Sequence, residues 1–533
     1  MTKYLLKRLL HGVLSIIAVV AIVMILVYSL MDREIIFASD PSFSKVKSNA
    51  KITYMYQKWE QYGYLDYVSY ADYINELYRN GEIATEEERA EIVSFARKET
   101  DDSGNPNDSE TVRSYIKKFT DYYESKGYTV VRKNAEMMTA TRVVPGGNQI
   151  LYAAKDKPVI VRLFNYFKNL ISIDNIHYTE NETALAVEDP GLTFTLFDPL
   201  YGGDTFSPAI IGNGTKHKYL LYVDDQFPYI HQNLISIELG TSYSVNMGVD
   251  VFDTMTNSQG SYVKRMVTYP TGLVEESADD LHTATYVAGS LPLVGNDARF
   301  TDDYTNCSLY KSGMSKMGYS FVIGILASIM AYMIGVPLGI LMARRKDKLI
   351  DKLGTIYIIF IIAVPSLAYI FLFKAIGGKI GLPGTFLMDQ PSALMYVLPI
   401  VSLALPSIAS LMKWLRRYMI DQMNSDYVRF ARSGGLSERE IFNKHILKNA
   451  VIPIVHGIPS SILGALTGAI ITERVYVVPG AGNLLTTAIN TYDNAVIVGI
   501  TLFYAVLSVL SVILGDILMA TVDPRISFTS KAR

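Results

Sequence analysis

The stretch GYSFVIGILASIMAYMIGVPLGILMA, residues 318–343, contains no charged side chain. About 20 predominantly apolar residues are enough for an α-helix to cross the hydrocarbon core of a bilayer. Five further stretches meet this criterion, at roughly 9–31, 354–376, 393–413, 450–472 and 495–519. The sequence therefore predicts an α-helical polytopic membrane protein with six transmembrane helices.

Lysine and arginine residues cluster beside alternate ends of these predicted helices. Cytoplasmic flanks are enriched in both residues, and this bias sets the orientation of a membrane protein. The basic segments are 3–8, 344–352, 413–448 and 525–533, whereas 379–389 and 473–493 carry one basic residue each. No small-residue cleavage pattern follows Met31, so we expect the first helix to be retained. We predict cytoplasmic N and C termini, with 32–316 outside the cell.

The total charge of −2 conceals two oppositely charged parts. Residues 32–316 hold 40 acidic and 27 basic residues, a net charge of −13, whereas the remainder holds 11 acidic and 22 basic residues, a net charge of +11. This division excludes a uniformly basic nucleic-acid-binding protein and a fully soluble enzyme. We predict an N-terminal transmembrane helix over 1–31, an extracellular α+β domain over 32–316, and a five-helix core over 317–533.

Local signals predict two helices within the inserted segment 32–316. Thr85 and Glu88 form a capping-box pattern that opens a helix extending to about Lys98. A second helix is expected over 109–125, and Gly127 is expected to end it.

Strand signals occur further along the insert. Alternating or β-branched residues predict strands at 128–133 and 218–223, and Pro-Gly-Gly-Asn at 145–148 predicts a turn. The sequence Asn-Leu-Ile-Ser-Ile occurs at 169–173 and again at 233–237. Either a duplicated membrane-associated element or chance similarity would explain this repeat.

We predict neither a catalytic site nor a bound cofactor or metal in this chain. The histidines of the insert lack the spacing of metal ligands, and the single cysteine, Cys307, excludes a cysteine cluster or an internal disulfide. The ATP-binding pattern Gly-x4-Gly-Lys-Ser/Thr does not occur in the sequence. No predicted helix has a charged residue near its middle, which argues against coupling to a proton or sodium gradient.

The most informative polar segment is DYVRFARSGGLSEREI, residues 426–441, within a predicted cytoplasmic loop over 414–449. Gly434 and Gly435 are expected to end one helix, because glycine accepts the left-handed conformation that follows a helix C-terminus. A sharp bend in so short a loop is not needed merely to join two spans. It indicates either a structured interfacial hairpin or an element that docks into a cytoplasmic partner.

The residues after the glycines predict a second helix. Ser437 and Glu440 form a capping box, and Leu436 and Ile441 occupy the positions of a hydrophobic staple. We expect this helix to run to about Asn449 and to meet Pro453 at the membrane. Helix, elbow and helix are thus specified by local sequence.

The loop resembles the EAA loop of ABC-transporter permeases, in the variant of the OppB/DppB oligopeptide and dipeptide permeases. The matching residues are Asp426, Tyr427, Val428, Arg429, Ala431, Arg432, Gly435, Leu436, Ser437, His445, Leu447, Asn449, Ala450 and Pro453. Arg429-Phe-Ala431 stands where the general consensus has Glu-Ala-Ala, which fits the peptide subgroup. Residues 335–343, 473–482 and 523–525 resemble further family signatures, and the large insert resembles that of AmiC-type permeases of Gram-positive bacteria.

The resemblance implies the type I ABC importer permease fold and a non-catalytic subunit that forms half of an oligopeptide pathway in the cell membrane. It also implies a second homologous permease, two cytoplasmic ATPases that bind ATP and Mg, and an extracellular peptide-binding lipoprotein. ATP-driven closure of the ATPases would push the elbow and tilt the fourth and fifth helices. The alternatives are a permease for nickel or another solute, or an extracellular sensor that signals to a cytoplasmic partner. The insert would dock the lipoprotein, gate the outer mouth or form a structural collar.

Two sets of candidate residues follow from the motifs. The ATPase-coupling set is Tyr427, Arg429, Ala431, Arg432, Gly434, Gly435, Leu436, Ser437, Glu438, Glu440 and His445. The structural and pathway set is Pro337, Gly339, Pro365, Pro453, Gly464, Gly468, Glu473, Pro479 and Gly480. Prolines and glycines of this second set would kink helices or let them approach closely.

Overall fold

The computed structural model describes most of the membrane-helix regions before and after the insert, and about two thirds of the insert itself. The described residues are 2–30, 32–38, 40–138, 143–145, 149–173, 191–197, 209–213, 219–223, 228–230, 235–260, 265–268, 274–277, 285–286, 304–306, 313–388 and 392–522. Cys307, the histidines 177, 217, 231 and 282, the signature at 523–525 and most of the predicted turn at 145–148 lie outside these ranges.

The chain begins with helix α1, Thr2–Leu30, and then forms a mixture of helices and strands. The helices are α2 Pro41–Lys45, α3 Asn49–Gln61, α4 Tyr70–Arg79, α5 Glu86–Val93, α6 Glu110–Ser125, α7 Val159–Asn169 and α8 Val251–Thr256. The strands are β1 Leu65–Ser69, β2 Thr129–Lys133, β3 Glu136–Met138, β4 Val143–Pro145, β5 Ile150–Asp156, β6 Ile171–Ile173, β7 Gly191–Thr195, β8 Ala209–Asn213, β9 Tyr219–Val223, β10 Pro228–Ile230, β11 Ile235–Ile237, β12 Arg265–Thr268, β13 Val274–Ser277, β14 Thr285–Tyr286 and β15 Tyr304–Asn306. Short 3₁₀ turns occur at Arg33–Phe37 and, after the insert, at Ala393–Tyr396.

After the insert the chain is almost entirely helical. The helices are α9 Lys316–Arg344, α10 Leu349–Ala363, α11 Ser366–Lys379, α12 Val397–Met423, α13 Asp426–Ser433, α14 Glu438–Glu440, α15 Lys448–His456, α16 Ile458–Tyr476, α17 Ala481–Asn490 and α18 Asn494–Val522, with a π-helical segment at Ile441–Leu447. The described residues include four helices long and apolar enough to cross a membrane, and two bent helix pairs raise the number to six if each pair crosses once. These helices indicate a multi-pass membrane protein.

All strand pairs of the described insert are antiparallel, and the three-stranded sheet β1-β5-β2 has a well-packed helical layer. Val68 of β1 and Val130 of β2 flank Ala153 of β5 in register. Helices α4, α5 and α6 cover this sheet with a separate apolar cluster that includes Tyr70 and Phe119. The other sheets are β10-β9-β8-β7, β11-β6, β12-β13, β14-β15 and β3-β4.

Local sequence explains α6 well. Val112, Ile116, Phe119 and Tyr123 are all buried and recur at the three- and four-residue spacing of one helix face. The Ser109 hydroxyl caps the first turn, and the left-handed Gly127 follows its end with φ of 77°. The predicted helix over 109–125 and the strands at 128–133 and 218–223 are thus confirmed.

Helix α5 is shorter than the prediction, because it ends at Val93 rather than near Lys98. The Ala96 N–H donates to the Asp108 carboxylate at 2.6 Å, and the Phe95 ring packs edge-on against Tyr70 at 5.8 Å. These tertiary contacts replace the helical hydrogen bonds that local sequence would have favoured. The Thr85 hydroxyl caps the helix as expected.

The two copies of the repeated pentapeptide meet each other. Strand β6 pairs with β11 so that Ile171, Ser172 and Ile173 lie opposite Ile237, Ser236 and Ile235. The repeat therefore supplies both strands of one antiparallel ladder.

The insert is joined to the membrane helices by one continuous apolar cluster. Val20 and Met24 of α1, Leu65 of β1, Val251 of α8 and Val496 of α18 all belong to it. An added Cβ at Gly499 of α18 would lie 2.8 Å from Val251, so α8 and α18 are in close contact. The described part of the insert next to the membrane is therefore packed on the helical core.

Helix α9 lies along α12 through small residues. A Cβ added at Gly335 would lie 3.0 Å from the Leu411 Cβ, and one at Gly339 would lie 3.3 Å from the Met412 Cα. Pro337 lies between these two glycines inside α9. The small-residue stretch of α9 thus permits close helix contact.

The predicted helices at 354–376 and 450–472 are each broken into two helices in the structure. Helices α10 and α11 meet at 110°, because Pro365 cannot donate a helical hydrogen bond and disfavours helical backbone at Val364, which is extended. Helices α15 and α16 meet at 42° at Gly457. The bend at Pro365 agrees with the kink that this proline predicts.

Two helices run further than predicted. Helix α12 ends at Met423 rather than near 413, because Leu415 and Met419 continue its buried face. The helix of the loop does not stop near Asn449 but continues through Pro453 to His456. Ile446, Ala450 and Ile454 form a continuous buried stripe in the same cluster, which favours the continuation.

Candidate coupling elbow and membrane cavity

The backbone at the end of α13 forms the predicted elbow. The Gly435 N–H donates to Arg432 O at 3.0 Å, and the Leu436 N–H donates to Ala431 O at 3.2 Å. Gly435 has φ of 80°, a conformation that strains any residue with a Cβ. This is a Schellman ending, in which the two hydrogen bonds satisfy carbonyls at the end of α13.

The helix that follows begins with the predicted capping box. The Ser437 hydroxyl accepts from the Glu440 N–H, and the Glu440 carboxylate accepts from the Ser437 N–H. The hydrogen bond from the Ser437 hydroxyl lowers the pKa of the Glu440 carboxyl, which keeps it ionised at neutral pH. Ile441 is fully buried, whereas Leu436 is 40% exposed.

An ion pair joins the two sides of the elbow. The Arg432 guanidinium donates to both Glu438 carboxylate oxygens, at 2.5 and 3.1 Å, across the two glycines. This contact lowers the pKa of the Glu438 carboxyl, so the bond persists at neutral pH. Both groups are exposed, and we therefore assign the pair a geometric role at the bend rather than a large stabilising one.

The buried side of the elbow packs against the membrane helices. Val428 and Ile441 are fully buried in a cluster with Leu415 and Met419 of α12. The Tyr427 hydroxyl donates to the Gln422 side chain at 2.6 Å and accepts from the Asn449 amide at 3.1 Å. The Tyr427 hydroxyl also lies 3.4 Å from the His445 backbone oxygen. Movement of the elbow would therefore be passed directly to α12 and α15.

The outward surface of the elbow carries an apolar side chain that the motif analysis did not single out. Phe430 is 76% exposed, and Leu436 lies beyond the glycines with 40% exposure. Arg429 is exposed beside Phe430. An aromatic residue surrounded by arginine is a common anchor in protein interfaces. An exposed phenylalanine opposite the buried Val428 was the available sequence signal.

A cavity of about 480 Å³ lies among the membrane helices α9, α11, α12 and α16. Its lining is unusually rich in hydroxyl groups, which are those of Ser328, Tyr332, Ser366, Tyr369, Ser402, Ser407, Ser410, Ser461 and Thr472. The remaining lining residues are apolar or glycine. Hydroxyl groups can both donate and accept hydrogen bonds, so the cavity can hold a polar but uncharged surface.

A smaller cavity of about 180 Å³ continues from the first one. Tyr332, Ser410, Leu411 and Ser461 line both cavities. The second cavity reaches Trp414 and Tyr418 on α12 and Pro453 on α15, close to the helices that carry the elbow. Together the two cavities form a half-enclosed route along α12 and α16.

Some residues of the structural and pathway set line the cavities, whereas others lie in helix contacts. Gly464 lines the cavity, where an added Cβ would meet no atom within 4 Å, and Pro365 precedes the lining residue Ser366. Pro453 lines the second cavity, whereas Pro337 and Gly339 lie on α9, where Gly339 packs closely against α12. Gly468 lies in α16, but its surroundings are outside the described part of the structure.

The family signature at 473–482 forms a compact polar connection between α16 and α17 and does not line the cavity. Glu473 is fully buried, and its carboxylate accepts from the Ser320 hydroxyl at 2.6 Å and from the Asn483 N–H at 3.0 Å. A Cβ at Gly480 would lie 2.4 Å from the Glu473 Cδ, so only glycine fits there. Pro479 precedes Gly480 in the short connection between α16 and α17. Glu473 thus links α9, α16 and the start of α17.

Three buried or half-buried acidic groups were not identified as structural contacts from sequence. The Asp351 carboxylate pairs with Arg416 at 2.5 and 2.7 Å, which joins α10 to α12. Asp516 accepts from the Tyr4 hydroxyl and pairs with Arg8, which joins α18 to α1. Asp493 binds a turn of the insert and is fully buried. Each contact depends on residues far away in sequence.

This chain matches one protein family over its C-terminal part and resembles individual transport proteins over longer or similar stretches. Residues 335–528 match the family described as "Binding-protein-dependent transport system inner membrane component". The oligopeptide transport system permease protein AmiC of Streptococcus pneumoniae is 33% identical over 543 aligned positions, which cover 100% of this chain and 99% of AmiC. The dipeptide transport system permease protein DppB of Lactococcus lactis subsp. cremoris is 32% identical over 42% of this chain and 73% of DppB.

A solved methionine ABC transporter described as inward facing is 13% identical to this chain, with a TM-score of 0.32, over 39% of this chain and 94% of that chain. The AmiC alignment, in contrast, includes the large insert as well as the helical core. By its full-length similarity to AmiC and its match to the transport-system component, the chain belongs to the AmiC-containing family of ABC-transporter permease subunits.

Proposed function

We propose that this chain is the membrane-spanning subunit of an ATP-driven oligopeptide importer and forms half of its translocation pathway. The proposal rests on a structural connection between the elbow and the cavity. The exposed elbow at Gly435 and the hydroxyl-lined cavity are built on the same helices, α12 and the α15–α16 pair. The similarity to AmiC over the whole chain supports peptide as the substrate.

The chemistry of the cavity suits a peptide. Every peptide group brings one hydrogen-bond donor and one acceptor, apart from proline, which lacks the donor. Serine, threonine and tyrosine hydroxyls can satisfy both kinds of group without a fixed charge. Such a lining would bind main-chain atoms and would tolerate different side chains. These hydroxyls favour peptide over nickel, whose protein ligands are typically imidazole nitrogens and similar donors.

The connection between elbow and cavity gives a route for coupling. On one side, Val428 and Ile441 of the elbow contact the Leu415–Met419 part of α12, and Ser410 and Ser407 line the cavity further along that helix. On the other side, the buried stripe of Ile446 and Ile454 leads to Ser461 and Gly464. Displacement of the elbow by two ATPases would therefore move two cavity walls together.

The proposed topology places both termini and the elbow in the cytoplasm and the insert outside the cell. The basic flanks at 344–352 and 413–448 support this orientation. The proposed assembly includes a second homologous permease, two cytoplasmic ATPases that bind ATP and Mg, and an extracellular peptide-binding lipoprotein. In this assembly the insert would receive the lipoprotein or gate the outer mouth of the pathway.

Purification of the full chain with its native partners tests the proposal. We expect two ATPase subunits and a second permease in the complex, and ATP hydrolysis that rises when peptide-loaded binding protein is added. Recovery of a sensor kinase, or of no ATPase, would contradict it. Stimulation by a nickel-loaded binding protein instead of a peptide-loaded one would contradict the substrate assignment alone.

A further inference from the structure

Helix α7 of the insert has one broad apolar face, and the rest of the protein covers only part of it. On its inner side, Leu163, Tyr166 and Phe167 pack against the cluster that joins the insert to the membrane helices. On its outer side, Ile160 is 71% exposed and Phe164 is 67% exposed. A helix on the water-exposed surface of a protein would carry polar side chains on that outer side.

The apolar surface continues beyond the helix. Ile171 on β6 is 59% exposed, and Ile237, its register partner on β11, is 38% exposed. Val161 on α7 is 41% exposed. With Ile160 and Phe164, these residues define an outer apolar surface of the insert. Extended apolar surfaces of this kind mark a protein or membrane contact.

The position of α7 relative to the membrane helices selects the membrane. The Arg162 guanidinium lies 3.8 Å from the ring centroid of Tyr28 on α1 and 3.9 Å from that of Tyr64. Tyr166 of α7, Met24 of α1 and Val498 of α18 together line a cavity of about 340 Å³. Met24 is six residues before the end of α1, so it lies about 9 Å below that end at 1.5 Å per residue.

The depth and charge of α7 are those of an interfacial helix. The apolar stretch of α1 that can cross the membrane extends to Ser29, so α7 lies beside its outermost turns. Tyrosines such as Tyr28 concentrate at this depth in membrane proteins. Lys168 and Asn169 are exposed at the end of α7, where they can reach lipid headgroups.

We propose that the outer apolar surface, Ile160, Val161, Phe164, Ile171 and Ile237, is inserted in the outer leaflet at the boundary between headgroups and acyl chains. Helix α7 contacts the membrane-spanning α1, and its exposed Lys168 favours anionic lipids. The insert is therefore held by the bilayer on one side and by α18 on the other. This inference depends on α1 and α18 crossing the membrane and is independent of the transported solute.

Site-directed spin labelling of the full transporter in lipid nanodiscs containing phosphatidylglycerol tests this proposal. In a Cys307→Ser background, single labels would replace Ile160, Phe164 and Ile171, and the control label would replace Tyr122 of α6. Tyr122 is 44% exposed and lies in the separate helical layer of the insert. Collision with oxygen reports lipid exposure, and collision with a water-soluble nickel chelate reports water exposure.

We expect labels at Ile160, Phe164 and Ile171 to collide more with oxygen than with the nickel chelate, and the reverse at Tyr122. Equal nickel accessibility at all four positions would place the surface in water and overturn the proposal. Low accessibility to both reagents at the three test positions would show that protein covers the surface, which would also overturn it. Because three positions are tested separately, the experiment remains decisive if one of the labelled variants fails to fold.

Discussion

The Asp493 carboxylate accepts a hydrogen bond of 2.6 Å from the hydroxyl of Ser242, and these two residues are 251 positions apart in the sequence. The same oxygen also accepts from the backbone N–H groups of Tyr243, Ser244 and Val245, at 3.0 to 3.1 Å. Asp493 immediately precedes α18, and its second carboxylate oxygen accepts from the Val496 N–H at 3.3 Å. One buried side chain thus joins a turn of the insert to the beginning of a membrane helix.

Removal of this charge should loosen the insert from the core. We expect Asp493→Asn to lower the free energy of unfolding by about 1.5–3 kcal/mol, because hydrogen bonds to a charged group contribute in that range and the amide nitrogen cannot accept from the N–H groups. Thermal unfolding of the purified protein in detergent would measure the loss. Asp421→Asn, at an exposed position of α12, is the matched control. Equal unfolding temperatures for the two variants would contradict the assignment.

Phe430 should contribute strongly to binding of the ATPases. We expect Phe430→Ala to reduce the affinity for the ATPases roughly 30-fold, about 2 kcal/mol, which is the usual loss at an interface anchor. Quantitative copurification at several salt concentrations would measure this loss. Tyr122→Ala removes an exposed aromatic side chain from the insert and should leave ATPase binding unchanged. Unaltered binding by Phe430→Ala would place the interface elsewhere.

Filling of the cavity should block passage without disturbing the complex. Gly464→Leu would project a side chain into space that holds no atom within 4 Å of an added Cβ. We expect peptide uptake to be lost while the complex assembles and retains its basal ATP hydrolysis. Gly378→Leu, in α11 and equally open around an added Cβ, is the control because it does not line the cavity. Full uptake by Gly464→Leu would remove this cavity from the pathway.

We expect even glutamine, which has nearly the same shape, to be poorly tolerated in place of Glu473. The Ser320 hydroxyl donates to Glu473 and accepts from the Ala481 N–H, so its hydrogen-bond direction is fixed. Asn483 N–H donates to the other carboxylate oxygen, and the NH₂ of a glutamine would face one of these donors. We expect Glu473→Gln to destabilise the protein by about 1–3 kcal/mol, the cost of an unsatisfied buried polar group. An unchanged unfolding temperature would argue against this network.

The sequence carries the local features of the elbow almost completely. Ser437 and Glu440 are three residues apart, and the glycine that needs the left-handed conformation lies two residues before Ser437. The residues that interact are only a few positions apart, so the sequence pattern identifies them without tertiary information. The same reasoning explains why the apolar stretches and the capped helix α6 could be predicted.

Long-range contacts explain what the sequence did not disclose. Nothing adjacent to Asp493 marks Ser242 as its partner, and nothing near Ala96 marks the Asp108 contact that accompanies the early end of α5. The cavity lining comes from four helices, so no single motif contains it. Exposure on one face of α7 becomes informative only when the helix is located beside α1. Contacts of this kind require the fold before they can be recognised.

The most direct test of coupling through the elbow is peptide uptake by cells that carry Gly435→Pro. Gly435 has φ of 80°, and proline is restricted to negative φ, so the substitution abolishes the elbow. Gly381→Pro, at another glycine with positive φ and open surroundings, provides the control. We predict that Gly435→Pro reaches the membrane at a normal level but imports no peptide, whereas the control imports it. Normal uptake by Gly435→Pro would contradict the account.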